Sequence, residues 1–197
     1  MVLGHGGRGS NAVSCTACPD RALPQQALRA KARGNYFHRN EDATMPYSLK
    51  FSTHLSAPPS TVWAWMTSFE GISKEMAPYL QMSAPPGVGN LRSVEFQPGK
   101  PMFRSWIRLF GLIPFDYSDL TLLSLEEGVG FVEHSPMGSM RSWRHVRHLT
   151  PTAGGCVLTD ELTFEPRLAG WLSYRIVRAF FNHRHRMLER HLGKFIE

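Results

Sequence analysis

The sequence predicts an α+β domain in which a curved antiparallel sheet of about seven strands wraps around a long C-terminal helix. Three observations predict it: apolar residues that alternate from Tyr47, short alternating segments divided by turn residues between 91 and 165, and a helical pattern after Pro166. Short connections between consecutive strands require antiparallel neighbours, because parallel neighbours need crossovers of a dozen or more residues. A chain of 197 residues has room for one such domain with a single core.

The first strand covers residues 47–55, and a proline-containing break at 56–60 follows it. A helix is then predicted from apolar residues at helical spacing, and a second short helix follows it. The residues that carry these two helices are Val62, Trp63, Met66 and Phe69 in the first and Ile72, Met76 and Leu80 in the second. Six further strands are predicted over residues 91–96, 102–110, 116–125, 129–134, 140–149 and 156–165.

The C-terminal segment after Pro166 is helical in pattern for about 28 residues, or ~42 Å at 1.5 Å per residue. A helix of this length needs a large apolar partner. The economical arrangement places it inside the curl of the sheet, with the two short helices closing one end.

Residues 1–44 lack a sustained apolar pattern, and we expect them to form a disordered N-terminal extension before a domain over 45–197. The pattern changes abruptly at Met45, which raises the hypothesis that Met45 is the natural start of the protein. A hydrophobic fraction of 42% over the whole sequence excludes a wholly disordered chain.

The net charge of +6 is divided between the extension and the final helix. Nucleic-acid binding is therefore not the leading expectation, whereas a peripheral contact between the basic helix and anionic lipid or an acidic protein stays open. No apolar stretch is long enough to span a bilayer or resembles a secretion signal, so we expect a cytoplasmic protein, monomeric or weakly dimeric. Cys15 and Cys18 lack a second pair of ligands at zinc spacing, and neither a metal nor another cofactor is expected.

The last third of the chain carries a recognisable series of motifs. They are the strand Gly-Ser-Met-Arg-Ser-Trp-Arg-His-Val-Arg-His-Leu at 138–149, then Gly155, Asp160, Phe-Glu-Pro at 164–166, Phe-Phe-Asn-His-Arg at 180–184, and Leu188. Together with the predicted order of elements, these motifs resemble those of the SRPBCC superfamily, which includes START lipid-transfer domains, polyketide cyclase/dehydrase-like proteins and the birch-pollen-allergen fold. The resemblance covers residues 47–192. It implies a helix-grip fold around an apolar cavity between the sheet and the long helix, and it does not imply an activity.

Two charged residues are predicted to face this interior. Arg184 lies near the middle of the apolar arc of the final helix, and Asp160 shares a strand face with residues that are otherwise apolar. Hydrophobicity alone does not decide which face of residues 140–149 points inward, but the resemblance favours the face of Trp143 and His145. We therefore expect an inner polar cluster of Asp160, Arg184 and His145.

This cluster has three interpretations. Asp160 and Arg184 form a structural ion pair, or the cluster anchors the polar end of an apolar ligand, or His145, Asp160 or Arg184 takes part in acid-base catalysis. The five tryptophans are expected in the core or the pocket wall. The predicted ligand-binding residues are Trp143, His145, Asp160, Leu162, Phe164, Ile176, Phe180, Arg184, Met187 and Leu188.

The leading functional hypothesis is binding of a small hydrophobic molecule, such as a lipid, a polyketide-like aromatic or an isoprenoid. One alternative is a cyclase or dehydratase acting on a polyketide-like substrate, with His145, Asp160 or Arg184 moving protons or stabilising an enolate. The other is an interaction module in which the basic helix binds an acidic protein or an anionic surface.

Overall fold

The computed structural model describes residues 45–194; the extension predicted for 1–44 lies outside the described residues, as do 195–197. Its strands are β1 (Tyr47–Leu55), β2 (Leu80–Met82), β3 (Pro101–Leu109), β4 (Ile113–Glu126), β5 (Gly130–His134), β6 (Met140–Thr152) and β7 (Gly155–Pro166). Its helices are α1 (Pro59–Thr67), α2 (Phe69–Met76) and α3 (Gly170–Leu192). The predicted α+β class, strand number and final helix are confirmed.

All seven strands form one antiparallel sheet in the order β1-β7-β6-β5-β4-β3-β2. The sheet curls around α3, which packs against β1, β7 and α2. Pro59 opens α1, where its missing N–H would have no partner in the helix anyway. The Ser68 side chain caps α2 by accepting a hydrogen bond from the N–H of Gly71.

Two details of the predicted order are wrong. Leu80 does not continue the second helix but begins β2, because the helix stops at Met76 and Ala77, which precedes Pro78, takes an extended conformation. Residues 91–96 are not a strand. Asn90 accepts a hydrogen bond from the N–H of Arg92 at 2.9 Å, and this local bond opens a 3₁₀ turn over Leu91–Ser93.

The helix α3 is 23 residues long, about 35 Å, and therefore shorter than the sequence predicted. The expectation for the tryptophans is wrong at Trp106 and Trp171, which are exposed. No helix within residues 45–194 is both long and apolar enough to cross a bilayer.

The core consists of two apolar clusters with a layer of charged residues between them. Along the pairing of β6 with β7, Leu149 lies opposite Leu158 in one cluster, and Trp143 lies opposite Phe164 in the other. Arg147 opposite Asp160 lies between these two pairs. The same order recurs on α3, where Arg184 and His185 separate Phe181 from Leu188.

Candidate functional site

A cavity of about 220 Å³ lies between α3 and the concave face of the sheet, and α2 and β2 contribute to its wall. Most of the wall is apolar. The polar and charged residues on it are Asp116, Ser118, Glu133, Ser139, His145, Arg147, Ser173 and Arg184. A largely apolar pocket with a few convergent polar groups is the usual composition of a small-molecule site.

Arg147 is the centre of the charged layer. Its Nε donates to Asp160 Oδ1 at 2.7 Å and its Nη2 to Asp160 Oδ2 at 2.8 Å. Nη1 and Nη2 also donate to the carboxylate of Glu75 on α2, at 3.0 to 3.1 Å. All five N–H donors of the guanidinium are thereby used. Arg147, Asp160 and Glu75 are each at most 1% exposed, so these charges depend on one another for compensation.

Asp160 accepts four hydrogen bonds. Besides the two from Arg147, His145 Nε2 lies 2.7 Å from Oδ1 and His185 Nε2 lies 3.0 Å from Oδ2. Burial alone would raise the pKa of Asp160, but the charges of Arg147 and His145 outweigh burial and hold that pKa well below 3.8. A carboxylate offers about four lone-pair sites. Asp160 therefore has none left to accept a proton or a ligand donor.

His145 bridges two carboxylates. Nε2 contacts Asp160, and Nδ1 lies 3.4 Å from Glu133 Oε2. Burial would lower the pKa of His145, but the charges and hydrogen bonds of Asp160 and Glu133 outweigh burial, so its pKa lies above 6.5. The two carboxylates therefore favour the protonated form of the ring relative to a free histidine.

Arg184 differs from Arg147 in having donors to spare. Its Nε and Nη2 donate to Glu75 Oε2 at 3.2 and 2.7 Å, and its guanidinium lies 5.0 Å from the centre of the Phe181 ring. Within residues 45–194, no oxygen accepts a hydrogen bond from Nη1. Because Arg184 also forms part of the cavity wall, it can donate to an acceptor placed inside.

Ser118 is a second polar group with unused capacity. Its side chain is on the cavity wall, the residue is 2% exposed, and its Oγ has no hydrogen-bond partner in the described part of the chain. Asp116, two residues earlier on the same face of β4, is occupied, since it accepts from the backbone N–H groups of Tyr117 and Ser139 and from the Ser139 hydroxyl. Besides Arg184, the cavity wall therefore carries a second polar group with free hydrogen-bonding capacity.

The expected inner cluster exists, but its pairing is different. Asp160, His145 and Arg184 are all buried, and the Trp143/His145 face of β6 points inward, as the resemblance implied. The predicted Asp160–Arg184 ion pair is wrong, since Arg184 pairs with Glu75 and Asp160 with Arg147. The reason is that Glu75 on α2 reaches between the sheet and α3, so that Arg184 finds a carboxylate there.

Half of the predicted ligand-binding residues lie on the cavity wall, and half do not. Those on the wall are Trp143, His145, Ile176, Phe180 and Arg184. Those not on the wall are Asp160, Leu162, Phe164, Met187 and Leu188. Leu162, Phe164 and Leu188 fill the two packed clusters, and Asp160 lies behind Arg147 and the two histidines.

Sequence reasoning missed Glu75, Arg147, Glu133 and Ser118. A signal existed for Arg147, because it shares strand parity with Trp143 and His145. No sequence signal indicated that Glu75 is buried, since a glutamate in a short helix is ordinarily exposed. Ser118 gave none either, because strand parity does not reveal whether a hydroxyl has a partner.

A family model described as "Domain of unknown function (DUF8410)" matches residues 53–192 of the chain. No curated protein matches the chain.

Solved structures share its fold at low sequence identity. Protein CV1439 from Chromobacterium violaceum is 13% identical with a TM-score of 0.58, over 76% of this chain and 100% of that one. Ara h 8.0201 is 10% identical with a TM-score of 0.54, over 75% and 97%. A START superfamily protein from Mycobacterium smegmatis is 12% identical with a TM-score of 0.52, over 75% and 96%. The helix-grip fold that the SRPBCC resemblance implied is confirmed.

The two buried arginines should differ in their contribution to stability. We expect Arg147→Met to lower the free energy of unfolding by about 3 to 5 kcal/mol, because it leaves Asp160 without its main partner and weakens the compensation of Glu75. Arg184→Met should cost less, since Glu75 keeps Arg147 and Trp65 as partners. Urea denaturation measures both, with exposed Arg178→Met as the control. Equal costs for the two buried arginines would contradict the central place given to Arg147.

The raised pKa of His145 predicts a stability that declines on the alkaline side. A protonated His145 contributes its full stabilisation below the unfolded pKa of about 6.5 and loses it as pH rises through the higher folded pKa. We expect the stability difference between wild type and His145→Gln to shrink as the pH rises from about 6.5 into the alkaline range, through the higher folded-state pKa. His148→Gln, on the exposed face of β6, is the control. A difference that stays constant over this range would show that protonation of His145 contributes nothing.

Proposed function

Since the chain belongs to the family described as Domain of unknown function (DUF8410), whose description gives no activity, we propose from its interior that it binds a small, mostly apolar molecule with an oxygen-bearing end. The observation that carries this proposal is the composition of the cavity wall: apolar side chains over most of its area and, among them, Arg184 with unused N–H donors. The helix-grip fold shared with Ara h 8.0201 and the START superfamily protein supports a ligand in this position.

The volume limits the size of the ligand. A dry apolar cavity of about 150 Å³ accepts benzene, and sites for drug-sized molecules run from about 300 to 1,000 Å³. At about 220 Å³ the cavity suits a molecule somewhat larger than benzene. A longer ligand would extend through the opening near Phe115 and Ile176, which are exposed residues of the wall.

The charges around the cavity favour a neutral oxygen over a full anion. Glu75, Asp160 and Glu133 are paired with Arg147, Arg184 and His145, and Asp116 places a further carboxylate on the wall, so the surroundings of the cavity carry no excess of positive charge. A carbonyl or hydroxyl oxygen can accept from Arg184 Nη1 without adding an uncompensated charge in a buried place. Ser118 offers a second hydrogen bond to a ligand that carries another polar group.

The cyclase or dehydratase alternative gains no support from a specific contact. Asp160 is occupied by four donors, and both nitrogens of His145 are directed at carboxylates. A general base needs a lone pair within reach of the substrate proton.

Filling the cavity should abolish ligand retention. We expect native mass spectrometry of protein isolated from its own cells to detect a bound apolar molecule, and Leu120→Trp, on the cavity wall, to lose it. Leu123→Trp on the outer face of the same strand is the matched control, since Leu123 is 40% exposed and Leu120 is 7% exposed. If wild type carries no such molecule and takes up no N-phenyl-1-naphthylamine, the proposed function is wrong.

The polar end of the ligand can be tested with two compounds of similar size, one of which has a carbonyl group where the other has a methylene. We expect acetophenone to compete with bound N-phenyl-1-naphthylamine about tenfold better than ethylbenzene, because a hydrogen bond to a charged donor contributes roughly 1.5 to 3 kcal/mol. Arg184→Met should remove this preference and leave ethylbenzene affinity nearly unchanged, whereas Arg178→Met should retain it. An unchanged preference in folded Arg184→Met protein would assign the selectivity to another group, with Ser118→Ala as the next variant.

A further inference from the structure

The hairpin between β3 and β4 ends in exposed apolar side chains. Its tip, residues 110–115, reads Phe-Gly-Leu-Ile-Pro-Phe, and all four of its large apolar residues are exposed: Phe110, Leu112, Ile113 and Phe115, by 56, 81, 59 and 62%. Isolated exposed leucines are ordinary on protein surfaces, whereas a contiguous apolar group marks a contact with something else.

A second apolar group lies at the start of α3. Leu168, just before the helix, precedes Leu172 and Ile176 at intervals of four residues, which places the two helical residues on one face. Trp171 adjoins them and is 67% exposed. These four residues are as exposed as the hairpin tip, although an amphipathic helix normally buries its apolar face.

Each group contributes one exposed residue to the wall of the same cavity, Phe115 from the hairpin and Ile176 from the helix. Tyr79 also links the hairpin with α3, since its ring lies 6.4 Å from Phe110 and 4.8 Å from His183. We call the eight residues the apolar rim: Phe110, Leu112, Ile113, Phe115, Leu168, Trp171, Leu172 and Ile176.

The charge beside the apolar rim is positive. Arg167, Arg175 and Arg178 are exposed, and none of them forms an ion pair with a described residue. Arg175 lies over the Trp171 ring at 5.2 Å. The sequence contains no acidic residue between Glu165 and Glu189, so this half of α3 has no negative charge of its own.

We propose that the apolar rim docks on the surface of an anionic lipid bilayer. Tryptophan favours the headgroup level, aliphatic side chains of a hairpin tip reach the acyl boundary, and arginines beside them pair with lipid phosphates. A second copy of this chain is a poorer occupant, because it would bring like charges together. The proposal goes beyond the proposed function and stands without it, although a ligand entering from a bilayer would meet the cavity opening directly.

Vesicle co-sedimentation of the full chain tests the apolar part. We expect binding to vesicles of phosphatidylglycerol and phosphatidylcholine, and at least about tenfold weaker binding for the double variant Leu112→Asp/Ile113→Asp. Leu123→Asp/Val129→Asp is the matched control, because both residues are 40% exposed and far from the hairpin tip. Leu123 lies near the C-terminal end of β4, and Val129 follows that strand. Wild-type protein that stays in the supernatant at low salt overturns the proposal, as does equal loss in both double variants.

The arginines beside the apolar rim are tested by a separate pair of variants. Arg175→Glu/Arg178→Glu should weaken binding to the anionic vesicles about tenfold or more, since each basic residue near such a surface contributes separately. Arg186→Glu/Arg190→Glu changes the net charge equally, at exposed positions of α3 that lie 11 and 12 residues further along the helix, or roughly 17 to 18 Å. An equal loss in this control would mean that the protein is attracted by net charge alone and would overturn the assigned surface.

Two further measurements separate the outcomes. Leu120→Trp should keep vesicle binding even though it loses the cavity ligand, so failure of the proposed function and failure of docking are distinguishable. Sedimentation velocity without lipid should find a monomer for wild type and for Leu112→Asp/Ile113→Asp. A wild-type dimer that this variant dissociates would identify the apolar rim as a contact between copies and overturn the lipid assignment.

Discussion

Arg147 is buried in the sheet and directs all five of its N–H groups at two carboxylates that come from different elements. Asp160 belongs to the neighbouring strand, and Glu75 belongs to α2, which reaches the layer from outside the sheet. Because Glu75 also accepts from Arg184, the same network fixes α3. An unpaired charge at such depth costs several kcal/mol, and a shift of any one of these elements would leave a buried charge without its partner. The network thereby sets the register of the sheet, α2 and α3 relative to one another. Buried ion pairs are better attested in this role than as a source of stability.

The position of the charged layer also explains where the empty space lies. The cluster around Leu55, Leu158 and Leu188 is closed by α1, which adds Val62 and Met66. The cluster around Phe164 and Phe181 lies on the other side of the layer, where β3, β4 and the first half of α3 supply the remaining wall. Arg184 and His185 hold α3 at the layer, and within residues 45–194 no helix comparable to α1 closes the far side. The cavity is therefore continuous with the opening near Phe115 and Ile176.

Much of this arrangement could be predicted from periodicity. Alternation on β7 placed Asp160 inward, and a helical wheel placed Arg184 inward, because both methods report the direction of a side chain relative to one element. The predicted pairing of Asp160 with Arg184 was wrong, because the direction of a side chain relative to its own element does not determine which other side chain it contacts. Glu75 is in a helix of eight residues that offers no sequence signal for the depth at which it packs. Likewise, the sequence places Trp171 in the core or the pocket wall although it is exposed, since an apolar residue has the same pattern whether it contacts protein or solvent.

The balance of donors and acceptors in the layer determines what the cavity can recognise. Asp160 receives four hydrogen bonds, and Glu75 receives contacts from Arg147, Arg184 and Trp65, so the lone pairs of both carboxylates are used. Arg147 has no donor left over, because the number of its N–H groups matches the acceptors around it. Arg184 does have N–H donors left over, and it is one of the residues of the cavity wall. A ligand that brings only hydrogen-bond donors would find no free acceptor on either carboxylate. Under the proposed function, a ligand oxygen that accepts from Arg184 would complete the network, whereas a donor on the ligand would have to use Glu133, Asp116 or Ser118 elsewhere on the wall.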